Sequence, residues 1–69
     1  MRTFKLQRLE DQGGVSGTGI VAEGVQFTSG RCVLSWLTAT TSLGIYADIE
    51  TLVEIHGHGG RTLVIWNDP

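Results

Sequence analysis

Phe4 and Leu6 alternate with Lys5 and Gln7, the period-two signature of a half-buried strand over residues 3–9. Leu9 interrupts the alternation, so the strand is expected to end or bulge near Arg8. Asp11-Gln12-Gly13-Gly14 reads as a turn, and Ile20 to Phe27 as a second strand with a bulge or bend at Gly24. Thr28-Ser29-Gly30 is the clearest hairpin turn, because Gly30 can take the positive φ such turns require. It leads into Arg31 to Leu37, where Cys32, Leu34 and Trp36 share one face and Arg31, Val33, Ser35 and Leu37 the other. A polar connection over residues 38–42 precedes a fourth strand, Leu43 to Ala47.

The period then changes. Ile49, Leu52, Val53 and His56 follow the i, i+3, i+4, i+7 spacing of one helix face, with Glu50 and Glu54 opposite. Asp48 is placed as the N-cap, and Gly57 as a terminator in the left-handed conformation. So short a helix must be held by packing on the sheet. Gly59-Gly60 lets the chain reverse into a last strand over residues 61–66. The expected fold is all-β or β-dominated: a small curled antiparallel sheet or SH3-like barrel of about five strands, with one short helix before the last strand. Residues 1–69 form one domain.

Composition narrows the function classes. A chain of 69 residues buries a smaller fraction of its surface than a typical domain and commonly gains stability from a disulfide, a metal or self-association. Cys32 is the only cysteine, so an intrachain disulfide is excluded, and its alternating position suits an inert buried thiol. Self-association remains, with a twofold homodimer the commonest form. Five Lys and Arg stand against seven Asp and Glu, and the cations are dispersed, so no nucleic-acid partner is expected. No apolar run is long enough to span a membrane, and the N-terminus lacks a hydrophobic signal core. The cytoplasm is the expected compartment, which also suits an unpaired thiol.

Candidate chemistry concentrates in His56-Gly57-His58-Gly59-Gly60-Arg61, which holds both histidines. Consecutive amides at Gly57, Gly59 and Gly60 could form an anion-holding nest. Arg61 adds a planar, permanently charged donor. His56 and His58 add titratable donors, and Tyr46 or Trp36 could stack on a base. The expected ligand-binding set is therefore Tyr46, His56, His58, Gly59, Gly60 and Arg61. The plainer alternative is a structural cap-and-turn cluster with His56 buried against a backbone carbonyl. Two histidines alone do not make a metal site, and none is assigned; no cofactor is expected. Glycines 17 and 19 do not form a phosphate loop, because a strand rather than a helix follows them. For catalysis, Cys32 with either histidine is the one nucleophile–base pair, and Glu23 or Glu54 with a histidine the acid–base alternative.

The run Gly14 to Phe27, the Gly30 turn, Trp36, Tyr46 to Glu50, and Ile55 to Thr62 with Trp66 together resemble a family of short uncharacterised proteins encoded by actinobacteria, haloarchaea and their viruses. The resemblance covers most of the chain. It implies a viral or prophage accessory role, such as contacting a host protein or sequestering a nucleotide signal to counteract host defence. The residues and the resemblance together lead to a non-enzymatic binding module that uses the His56–Arg61 loop to contact a protein partner or a small anionic ligand. A small enzyme is the rival reading.

Overall fold

The computed structural model describes residues 1–9, 19–37 and 41–68. Five strands form one antiparallel sheet in the order β4-β3-β2-β1-β5. They are β1 (Arg2–Arg8), β2 (Gly19–Gln26), β3 (Cys32–Trp36), β4 (Leu43–Tyr46) and β5 (Thr62–Trp66). A single described α-helix, α1 (Ile49–His56), and a 3-10 turn at His58–Gly60 join the edge strand β4 to the opposite edge strand β5. The connection has to cross one face of the sheet. The β-dominated fold with a short helix before the last strand is as expected. Of the two architectures expected, the open sheet is observed; β4 and β5 do not close it into a barrel.

Alternation decides what the helix covers. Phe4 and Leu6 of β1 pair with Trp66 and Val64 of β5, and with Gly24 and Ala22 of β2. Those β2 residues face Leu34 and Trp36 of β3. All lie on the face beneath α1, where Leu52 is fully buried with Phe4, Leu6, Cys32 and Leu34. Burying one such leucine side chain stabilises the fold by about 1.5–3 kcal/mol. The other face stays bare, so Ile45, Leu43, Leu63 and Ile65 are exposed. Val53 also departs from the expected pattern: it lies on the exposed shoulder of α1, because the face that packs is narrow and centred on Leu52.

Three local expectations hold. Gly30 has φ +97°, and Phe27 N–H donates to the Arg31 carbonyl to close the hairpin. Asp48 caps α1, its carboxylate accepting from Thr51 N–H at 2.7 Å. Cys32 is a buried free thiol.

Two local expectations need correction. The register shift lies opposite Leu6 and Gln7, where Ala22 and Ile20 are the partners and Val21 is the extra residue; it is not at Gly24. Gly24 stays in register because the Phe4 ring lies across it, in the space a Cβ would fill. Gly57 ends α1 in the right-handed region, φ −71° and ψ −23°, with its N–H on the Val53 carbonyl. The left-handed conformations fall later, at Gly59 (φ +64°) and Gly60 (φ +94°), because the chain adds a 3-10 turn before it reverses. The turn expected at residues 11–14, Gly17 and residues 38–40 of the expected polar connection lie outside the described residues.

Candidate functional site

One end of the sheet gathers the polar chemistry. Arg8 pairs with both Gly19 and Thr62, and Leu9 N–H donates to the Arg61 carbonyl at 2.7 Å. Trp36 N–H donates to the Ser42 carbonyl at the same end. The C-terminus of α1 arrives above these strand ends and delivers His56.

His56 is half-buried between two aromatic rings. Its ring meets Trp36 edge-on at 5.0 Å between centroids and Tyr46 at 5.5 Å. Its Nε2 lies 2.7 Å from the Tyr46 hydroxyl. Tyr46 belongs to a row near the opposite end of the sheet, paired with Cys32. Its ring reaches back because Gly44 leaves the surface open: a Cβ there would collide with the Tyr46 ring and hydroxyl. Burial pushes the Tyr46 phenol upward, so it keeps its proton at neutral pH. That proton is donated to Nε2, or Nε2–H is donated to the phenol oxygen, according to the imidazole tautomer.

The glycine-rich corner is tighter than an open nest. The Gly57 carbonyl accepts N–H from both Gly60 and Thr62 at 3.0 Å, and Gly57 N–H is held by Val53. Two of the three amides expected to receive an anion are therefore already engaged. Gly59 and Gly60 contribute by conformation, turning the exposed Arg61 outward at the start of β5. Of the expected set, Tyr46 and His56 are in direct contact, and Gly59, Gly60 and Arg61 form the adjoining exposed corner. The His58 backbone lies in that turn.

Among the described residues, the other groups considered from the sequence lie apart from this cluster. Glu23 alternates onto the bare face, opposite Lys5, and Glu54 is exposed on the outer side of α1. Burial first, then the charges of Asp48 and Glu50, push the Cys32 thiol upward, which disfavours the thiolate. Among the described residues, no three of His, Cys, Asp and Glu come together as a ligand set. No helix among them is long and apolar enough to cross a membrane.

Two residues at this end carry no expectation from the sequence. Arg8 and Thr62 face each other across β1 and β5, on the covered side by alternation with Phe4, Leu6, Val64 and Trp66. Arg8 Nε and Thr62 Oγ1 are buried without a hydrogen-bond partner among the described residues. The signal was available: extending the Phe4–Leu6 alternation by one step puts Arg8 on the core side.

Fold and site define a small open-sheet β protein with an aromatic–imidazole cluster at its strand ends. The chain belongs to the Acb5 phage protein family, whose model matches residues 1–68. That match supports the viral side of the resemblance drawn from the sequence; it does not speak to actinobacterial or haloarchaeal hosts, nor to the motif string. The family makes this a phage-associated accessory protein, and its description carries no activity. Searches among curated proteins and solved structures return no match.

Proposed function

We propose that this phage protein acts by binding a small anionic ligand of the nucleotide class at the strand-end corner formed by Tyr46, His56, Gly59, Gly60 and Arg61, with His58 alongside. The observation that carries the reading is the half-buried Trp36–His56–Tyr46 cluster beside an exposed arginine. Aromatic faces suit a base, and a guanidinium suits a phosphate. Sequestering a host nucleotide signal is the role this chemistry serves in a phage accessory protein. The test is a panel of nucleotides incubated with the pure protein, read by melting temperature and by the state of the recovered nucleotide. Recovery of unmodified, tightly held nucleotide supports the reading, and loss of that retention in His58→Ala and Arg61→Ala locates it. Absence of any shift favours a protein partner instead.

A second reading has its own observation. An imidazole at 2.7 Å from a phenol is within the reach that proton transfer requires. Turnover of a nucleotide in the same incubation, lost in both Tyr46→Phe and His56→Gln, makes the protein a small acid–base enzyme. His56 and Tyr46 then replace the histidine–glutamate pair considered from the sequence.

Self-association is assigned to the bare sheet face, with a second copy as the occupant. Lys5 and Glu23 stand directly opposite each other there. A twofold axis along the strands sets each Lys5 on the other copy's Glu23 and brings Ile65 over the other copy's Ser35, in the same row. Sedimentation tests this: the wild type is expected to be a dimer and Ile65→Lys a folded monomer. A strict wild-type monomer at high concentration contradicts it.

A further inference from the structure

We infer that Arg8 and Thr62 form an oxyanion subsite at the strand ends, fitted to a phosphate group. The inference deepens the proposed function, and it rests on that reading for the identity of the larger ligand. Arg8 and Thr62 are direct cross-strand partners. Thr62 is only 6% exposed, yet its hydroxyl has no hydrogen-bond partner among the described residues. Arg8 Nε is buried in the same condition.

Native folds satisfy buried polar atoms almost without exception, and each exception calls for an explanation, a bound ion that supplies the missing partner being one. Here two such atoms sit on facing residues. One is the Nε of a permanently charged guanidinium, whose side-on edge can bind two oxygens of one anion. The other is a hydroxyl whose proton is free to rotate toward a further oxygen. Donors on two facing side chains suit a tetrahedral anion better than a planar carboxylate.

The backbone fixes this pair in place. Thr62 N–H is bound to the Gly57 carbonyl, and Leu9 N–H to the Arg61 carbonyl, so both residues are clamped beneath the glycine-rich corner. A phosphate held at Arg8 and Thr62 therefore lies under the corner that Arg61 and His56 flank. The rest of a nucleotide can extend from there toward Trp36 and Tyr46.

The experiment titrates wild type, Thr62→Val and Arg8→Gln with inorganic phosphate and with pyrophosphate. Melting temperature and the Arg8 Nε–H proton resonance are the readouts. Phosphate is expected to raise the wild-type melting temperature and move the Arg8 resonance. Thr62→Val is expected to melt no lower than wild type without anion, because its hydroxyl has no protein bond to lose, and to bind about tenfold more weakly, the weight of one hydrogen bond to a charged group. An unmoved Arg8 resonance, or equal binding by Thr62→Val, overturns the subsite even if Arg8→Gln fails to fold. Nucleotide binding that leaves Arg8 unmoved sinks the subsite and spares the proposed function. Phosphate binding at Arg8 with no nucleotide bound does the reverse.

Discussion

The Tyr46 hydroxyl and the His56 imidazole, ten residues apart in the chain, meet at 2.7 Å. The contact depends on Gly44: with no side chain there, the Tyr46 ring can lie along β4 and carry its hydroxyl from one end of the sheet toward the other. The helix then needs only to bring His56 down onto Trp36. Sheet, helix and site are coupled through this pair, so the site's geometry and the fold's stability can be perturbed together or apart.

Replacing Tyr46 by Phe removes the hydroxyl and keeps the ring, and is expected to cost about 0.5–1.5 kcal/mol. His56→Ala also empties the space against Trp36 and is expected to cost about 1–3 kcal/mol. The double variant should cost less than the sum by about 0.5–2 kcal/mol, the coupling of residues in contact. Urea unfolding measures all three, and strict additivity would mean that the bond contributes nothing.

Gly24 and Gly44 each have an aromatic ring where a Cβ would stand. Gly24→Ala drives a methyl into the Phe4 ring and is expected to cost about 1–3 kcal/mol by overpacking. Gly44→Ala is expected to weaken binding as well, because it displaces Tyr46 from His56. The two effects separate by comparing unfolding curves with ligand titrations. A destabilised Gly24→Ala that still binds, beside a Gly44→Ala that does not, is the expected pattern.

Stability should fall in acid. The hydrogen bond from Thr51 holds the Asp48 carboxyl below its ordinary value, and that from Arg2 does the same for Asp68. A carboxyl whose folded pKa is depressed contributes stability that is fully present above its unfolded value of about 3.9 and is lost as pH falls through the folded value. Asp48→Asn keeps a capping oxygen but removes the titration. Thermal melts between about pH 5 and pH 2 should therefore show a shallower decline in Asp48→Asn than in wild type.

The Cys32 thiol is buried and its pKa is raised, so alkylation should be slow in the folded protein. Unfolding in urea should expose it fully. Mass spectrometry after an iodoacetamide pulse distinguishes the two states. Rapid labelling in buffer would show that β3 opens on the labelling timescale.

Much of the architecture was legible because period two and period 3.6 are separated cleanly at Asp48. The Gly30 hairpin and the Asp48 cap followed from side-chain chemistry alone. The open sheet was harder to foresee: closure depends on how β4 and β5 lie relative to each other, and no local pattern encodes that. Gly24 was misread because a glycine in a strand serves a bulge and a close ring approach equally well. Gly57 was misread because three glycines within four positions leave the reversal point open. At the site, His56 was placed inward from its helical register, but its bond to Tyr46 is a tertiary contact across β4. The core-side position of Arg8 is hidden in the sequence because Leu9 breaks the alternation immediately after it.

The most direct measurement is a heteronuclear NMR titration of the side-chain imidazole and guanidinium resonances with the nucleotide that most raises the melting temperature. The expected result is that His56 and Arg61 move first, with the Trp36 indole following and Lys5 on the bare face unmoved. Shifts confined to the bare face, with His56 and Arg61 still, would contradict the account.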